Sequence, residues 1–161
     1  MFKKIFLYSI IIMFLFNCEK DDICLDGTAG TPRLIIRFLD HSERMIPKSL
    51  SNITIKAISR DEDYTLFSGD SLAIPLKLDS NSTIYTFIHL NELSNQEKID
   101  TLKFNYKRED YYINRACGFV SNLIFSTPAI EIINKESLFL GFNILKDTIK
   151  NENQAHLAIY H

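Results

Sequence analysis

Few residues in this chain of 161 are able to do covalent or ligand chemistry: three cysteines, at positions 18, 24 and 117, and four histidines, at 41, 89, 156 and 161. A nucleophilic cysteine needs a depressed pKa, which a neighbouring cation supplies. Arg115 stands near Cys117, but no histidine lies close to it in sequence, and Cys24 is a ready partner for it. His156 and His161 are five positions apart. On a strand that spacing points them to opposite faces, which is wrong for two ligands of one metal. His41 stands beside Asp40 and near Glu43 in a polar loop, where no metal is needed to explain it. Asp61, Glu62 and Asp63 would need several further oxygen donors to hold Ca²⁺, and acidic residues suit a turn without it. Gly-rich phosphate loops, Gly-x-Ser-x-Gly and His-Glu-x-x-His do not occur in the sequence. The expectation is a chain without catalytic residues, metal or cofactor.

The N-terminus carries an address. Lys3 and Lys4 give a positive start, and Ile5 to Phe16 is apolar except for Ser9, the proportions of a secretory signal. The run is too short to span a bilayer, which takes about 20 apolar residues. Leu15-Phe16-Asn17-Cys18 resembles the lipobox of bacterial lipoproteins, in which the cysteine becomes the lipid-bearing N-terminus. Leu15 fits that pattern, whereas Asn17 stands where Gly, Ala or Ser is usual. The resemblance implies lipidation of Cys18. Lys20-Asp21-Asp22 is similar to the export signal of some Bacteroidota surface lipoproteins and implies display at the cell surface, a periplasm-facing position being the alternative. The expected organisation is a signal peptide over 1–17, a lipidated acidic tether over 18–32 and a folded domain over 33–161.

Loss of residues 1–17 leaves 144 residues, enough for one domain with a real core. Lys3 and Lys4 leave with the signal, so 16 basic residues face 20 acidic ones, a net charge of −4. A mildly acidic domain lacks the basic footprint of a nucleic-acid binder. With Cys18 lipidated, Cys24 and Cys117 remain in an oxidising compartment, where they are expected to pair.

The elements that must position these residues read as strands. Leu34, Ile36 and Phe38 alternate with more polar neighbours, as do Ile53, Ile55 and Ala57, and Leu72, Ile74, Leu76 and Leu78. Pro75 marks an edge strand or a bulge. Asp79-Ser80-Asn81-Ser82 turns the chain into a strand over Thr83–Leu90. Asn91 to Lys98 lacks alternation and could form a helical turn. Leu102, Phe104 and Tyr106 resume the pattern. A charged hairpin tip at Lys107-Arg108-Glu109-Asp110 would set Tyr106 opposite Tyr111 and place Tyr111, Arg115, Cys117 and Phe119 on the inner face. Val120–Phe125, Ala129–Ile133, Leu138–Leu145 and His156–Tyr160 follow. Short strands joined by polar turns predict an all-β fold, a single antiparallel β-sandwich of the Ig-like or transthyretin-like kind behind the signal-peptide helix, with a small β-barrel as the alternative.

Thr31-Pro32-Arg33-Leu34-Ile35-Ile36, Arg115-Ala116-Cys117-Gly118-Phe119 and His156-Leu157-Ala158-Ile159-Tyr160, behind Cys18 and Cys24, are together similar to a family of small Bacteroidota outer-membrane lipoproteins of unknown function. That resemblance implies an outer-membrane location and one domain, and supplies no activity. Three triplets, Asp70-Ser71-Leu72, Asp100-Thr101-Leu102 and Asp147-Thr148-Ile149, resemble the Bacteroidota O-glycosylation sequon and mark Ser71, Thr101 and Thr148. Tyr112 and Arg108 are the residues expected to offer a surface contact. The reading is a non-catalytic binding or structural module tethered to the outer membrane by its lipid, with an envelope protein or glycan as partner. A periplasmic or surface enzyme with scattered site residues is the alternative.

Overall fold

Alternation with a period of two does build this molecule. A computed structural model describes residues 23–58, 64–91, 96–135 and 138–161. The signal segment, Cys18, Lys20, Asp21 and Asp22, and the acidic residues Asp61, Glu62 and Asp63 lie outside the described residues. Ten strands are formed: β1 Leu34–Leu39, β2 Leu50–Ala57, β3 Tyr64–Gly69, β4 Ser71–Ile74, β5 Ser82–Asn91, β6 Gln96–Asn114, β7 Gly118–Lys135, β8 Gly141–Ile144, β9 Thr148–Ile149 and β10 Leu157–Tyr160. Among the described residues there is no helix. The chain divides into two compact units. The larger holds Ala29–Tyr111 and Val120–His161, and the smaller joins the N-terminal segment through Thr28 to Tyr112–Phe119.

In the larger unit the strands form two sheets, in the orders β4-β1-β10-β8 and β3-β2-β5-β6-β7-β9. The sheets do not close into a barrel, so the fold is all-β and sandwich-like. One pair departs from the antiparallel expectation: β1 runs parallel to β10, with Ile36 opposite Leu157 and Leu39 opposite Tyr160. Leu157, Ala158, Ile159 and Tyr160 are all buried, the continuous apolar run expected of a strand covered on both faces.

Leu34, Ile36 and Phe38 face Ile53, Ile55, Phe87, Leu102, Phe104 and Tyr106 in one buried cluster. Phe38 packs on Phe67 with ring centroids 5.8 Å apart and on Phe139 at 6.1 Å, and Phe139 meets the edge of Phe87 at 5.1 Å. The Phe139 N–H, taken out of water with its ring, donates to the buried Asp100 carboxylate at 2.8 Å. Pro75 behaves as expected. It follows β4, which is an edge strand, and its carbonyl accepts the Tyr85 hydroxyl at 2.6 Å.

The sequence reading fails where apolar alternation ends. No hairpin forms at Lys107–Asp110. β6 runs straight through those residues, and the reversal comes at Arg115–Cys117. β5 stops pairing at Asn105, and residues 107–112 of β6 are exposed on both alternations, so nothing there forces an inward face. Tyr111 and Phe119 are accordingly exposed, not inward, and Arg115 sits in the turn. Gln96–Lys98 belongs to β6 and not to a helical turn. Val120–Phe125 and Ala129–Ile133 are parts of one strand, β7.

His156 extends the parallel ladder beyond the ends of the strand. Its N–H donates to the Ile35 carbonyl at 2.9 Å, and its Nδ1 accepts the Ile35 N–H at 3.0 Å. A nitrogen that accepts from an N–H carries no proton, so the imidazole is neutral with its proton on Nε2. Burial pushes the His156 pKa down, against the opposing pull of the Asn151 backbone and the Glu152 charge. At the same end of β1, Arg33 Nε donates to both Glu152 oxygens at 2.9 and 3.1 Å, and this contact holds the Glu152 carboxyl at about 2.

The sign of the His156 effect follows from its depressed value. Stability is complete above the unfolded pKa of about 6.5 and is lost as pH falls through the lower folded value. Glu152 acts only further down, from about 4.5 to about 2. Urea titrations between pH 7.5 and 5, taken as order-of-magnitude bounds of the His range, should show the wild type weakening with acid. His156→Gln, which keeps an acceptor for Ile35, should be weaker at neutral pH but flat across that window. An unchanged acid step in the variant would show that His156 does not cause it.

Candidate functional site

Two neighbouring segments of the larger unit enclose an open polar cleft of about 590 Å³, lined by Leu78–Asn81 on one side and by Lys107, Arg108 and Asp110 of β6 on the other. Next to the cleft, both of its sides are tied to a residue from the regular part of β6. Alternation puts Tyr106 inward, where its ring is fully buried and burial pushes the phenol pKa up. A buried phenol needs partners, and three groups close a ring. The Lys77 N–H donates to Thr83 Oγ1 at 2.9 Å, Thr83 and Tyr106 share a hydrogen bond of 2.6 Å, and the Tyr106 hydroxyl donates to the Lys77 carbonyl at 2.7 Å. Because the phenol proton goes to Lys77, the Thr83 hydroxyl must be the donor to Tyr106.

That ring fixes where the loop leaves β4, and two more contacts fix its return. The Tyr106 N–H donates to the Asn81 carbonyl at 3.0 Å. Arg108 donates through its guanidinium to the Leu78 carbonyl. Arg108 Nε also meets Asp110 Oδ1 at 2.9 Å, two positions along the same face of β6. Asp110 in turn accepts the Ser121 hydroxyl at 2.5 Å. Arg108 and Asp110 therefore neutralise one another, while Asp79, Asn81 and Lys107 add exposed polar groups to the lining and Ser80 is half-buried. Hydrogen bonding and charge complementarity to a polar partner are the chemistry this arrangement offers. A second open hollow of about 460 Å³ lies at the Asp40–Lys48 loop. There the Lys48 ammonium at 2.9 Å, with the Ser42 and Glu43 N–H groups, holds the Asp40 carboxyl at about 2.

The smaller unit is organised by a disulfide between Cys24 and Cys117, with Cα atoms 4.8 Å apart. Asn114 Oδ1 accepts the Cys117 N–H at 2.7 Å, and Gly118 takes φ +70°, a conformation that costs a residue with a side chain and so suits glycine. Arg115-Ala116-Cys117-Gly118 is thus a turn with the bridge at its end. In the chain-entropy model the 93-residue separation is worth roughly 4–5 kcal/mol.

The other expected residues are spread out. Arg108 lines the cleft in the larger unit, and Tyr112 lies in the smaller one, edge-on to Phe119 at 5.4 Å. Ser71 is exposed at the start of β4. Thr148 is half-buried and donates to Asp147 Oδ1 at 3.1 Å. Asp100, Thr101 and Leu102 are all buried in the folded chain, unlike Ser71. Among the described residues no group of three or more His, Cys, Asp or Glu side chains is arranged to hold a metal, and no helix is long and apolar enough to cross a membrane. The cleft is not legible from local sequence, because its two sides are separated by a whole hairpin. The signal that did exist was the pairing of a polar turn, Asp79–Ser82, with the charged run Lys107–Asp110.

The class defined by these features is a disulfide-bridged, sandwich-like all-β protein with a self-neutralised polar cleft. The chain belongs to the family of unknown function DUF6452, whose model matches residues 52–161. The match includes Arg115–Phe119 and His156–Tyr160, and leaves Cys18, Cys24 and Thr31–Phe38 outside it. No curated protein and no solved structure matches the chain.

The hydrogen-bond ring predicts the effect of its smallest lesion. Tyr106→Phe should lower stability by about 1–3 kcal/mol, because it strands a buried threonine hydroxyl and a backbone carbonyl. In hydrogen exchange the added opening should concentrate at Lys77–Asn81. A loss spread evenly over both sheets would mean that the ring does not hold the loop.

Proposed function

We propose that this protein is a non-catalytic binding or buttressing module of a bacterial envelope, tethered to the outer membrane through a lipid on Cys18 and displayed at the cell surface. The observation that carries the reading is the Cys24–Cys117 bridge. It consumes two of the three cysteines and leaves Cys18, at the end of the apolar run, as the remaining one. A disulfide also suits an exported protein, since such bonds persist in oxidising compartments. The resemblance of Leu15–Cys18 to a lipobox and of Lys20–Asp22 to a Bacteroidota surface-export signal supports the same assignment. The Arg108 cleft is the proposed contact for an envelope protein or glycan, because its rim offers polar donors and acceptors without an activated nucleophile.

Cells fed an alkyne-bearing palmitate should label the wild-type protein and not Cys18→Ser. Wild type should partition with outer membranes and be cleaved by protease added to intact cells. Label on the serine variant would overturn lipidation, and resistance of the wild type to shaving would overturn surface display. Crosslinking in cells should capture a partner that Arg108→Ala captures several-fold less, an order-of-magnitude expectation for a cleft residue with two anchoring contacts.

O-glycosylation at the sequon-like triplets is part of this proposal only where the hydroxyl is accessible. Intact-mass and peptide analysis of native protein should place hexose-scale additions on Ser71 or Thr148 and none on Thr101. A spectrum without any such addition removes the modification from the reading.

A further inference from the structure

The smaller unit exposes apolar side chains that its own packing does not cover. Ile23 is 78 % exposed, Leu25 75 %, Tyr112 57 % and Phe119 70 %. These four fall within a unit whose described part is only Ile23–Thr28 and Tyr112–Phe119. Its charged side chains in that part are Asp26 and Arg115, one of each sign. Tyr112 and Phe119 touch at 5.4 Å, and Ile23 and Leu25 flank the cysteine bridged to Cys117, so the four are gathered around one disulfide. Apolar side chains gathered and exposed in this way suit contact with another apolar phase.

The covalent chain says which phase lies within reach. Five peptide links separate Cys18 from Ile23, and fully extended they cover at most about 18 Å. The disulfide then ties Cys24 to Cys117, so the turn bearing Tyr112 and Phe119 cannot drift away from the N-terminal segment. If Cys18 carries acyl chains, all four exposed residues are held near the bilayer surface. Aromatic rings with an apolar body favour that boundary, and tyrosine adds a polar tip suited to the headgroup level.

We infer that Ile23, Leu25, Tyr112 and Phe119 form a membrane-resting face, by which the disulfide-bridged unit lies in the lipid interface beside its own anchor. This inference rests on the lipidation proposed above and goes beyond it. The anchor alone would leave the tethered protein free to stand away from the bilayer. The bridged unit supplies a second, short-range contact, buried about 5–10 Å into the headgroup and acyl boundary.

The chain contains no tryptophan, so Phe119→Trp introduces a single fluorescent reporter into the full lipidated protein. Leu66→Trp, at an exposed position of β3 in the larger unit, serves as control. Each variant is reconstituted in phosphatidylethanolamine/phosphatidylglycerol vesicles that carry brominated acyl chains, and each is first checked for flotation with the vesicles. The inference expects both variants to float, the tryptophan at 119 to be blue-shifted and quenched most by bromines near the headgroup, and the tryptophan at 66 to be unaffected. Flotation without quenching at 119 overturns the membrane-resting face and leaves the anchor standing. Equal quenching at both positions overturns the assignment of the contact to this unit. Absence of flotation overturns lipid anchoring and this inference together. A further variant, Cys117→Ser, should float while losing quenching at 119 in the Phe119→Trp background, because the turn is no longer tied to the tether. Retained quenching there would show that the bridge does not hold the face in place.

Discussion

The parallel pairing of β1 with β10 is the constraint on which the rest of the larger unit depends. These strands lie at the two ends of that unit and form the centre of its four-stranded sheet, flanked by β4 and β8. Their contact closes a loop of more than a hundred residues, and closure of such loops costs entropy before any contact repays it. The repayment comes from continuous burial of Leu157–Tyr160 against Ile36 and Phe38. His156 adds a side-chain acceptor where the backbone ladder would otherwise end. Once the pair exists, β4 and β8 each have a strand to join, and Phe38 is fixed where Phe67 and Phe139 can pack on it.

The legible part of the fold is the part that is half-buried. Leu34, Ile36 and Phe38, or Leu102, Phe104 and Tyr106, declare their strands because one side of each faces a core and the other faces water. The same rule is silent at residues 107–112, where both faces of β6 are exposed. Lys107-Arg108-Glu109-Asp110 then looks like a turn by composition, although β6 continues through it. The parallel register was illegible for a different reason. A buried run such as Leu157–Tyr160 shows that a strand is covered on both faces, and it is equally compatible with a parallel sheet and with the core of an antiparallel sandwich. Thr101 shows the same limit from the other side. Its triplet matches a modification pattern, but only the fold shows that Asp100 serves the Phe139 N–H inside the core.

The candidate site was least legible because its determinants are long-range hydrogen bonds. Tyr106 could be placed inward by parity, yet its partners Thr83 and Lys77 lie more than twenty residues away. The sequence marks Arg108 as a surface contact, and the structure gives it a second role in holding the Leu78 carbonyl. Its contacts stabilise only modestly, since an ion pair as exposed as Arg108–Asp110 is worth at most about 1 kcal/mol. What they set is the shape of the loop. The buried ring beneath Tyr106 carries the larger share of the rigidity, because leaving any of its members unpaired costs more than the exposed pair gains.

The two exposed surfaces make opposite demands on a partner. A ligand entering the cleft competes with water for Asp79, Ser80, Asn81 and Lys107, and with Leu78 and Asp110 for Arg108. Each exchange of one hydrogen bond for another yields little net free energy, so a single small ligand would be held weakly. A repeating or extended ligand gains more, because each further contact forms within an already joined complex. The proposed apolar face is made of Ile23, Leu25, Tyr112 and Phe119, and covering their apolar surface releases water. If the chain is tethered as proposed, the second surface keeps the molecule close to the bilayer. The first can then be weak and still be occupied, since tethering raises the effective concentration of anything fixed to the same envelope. A cleft with neutralised charges and no deep pocket suits that regime better than it suits capture of a dilute, freely diffusing molecule.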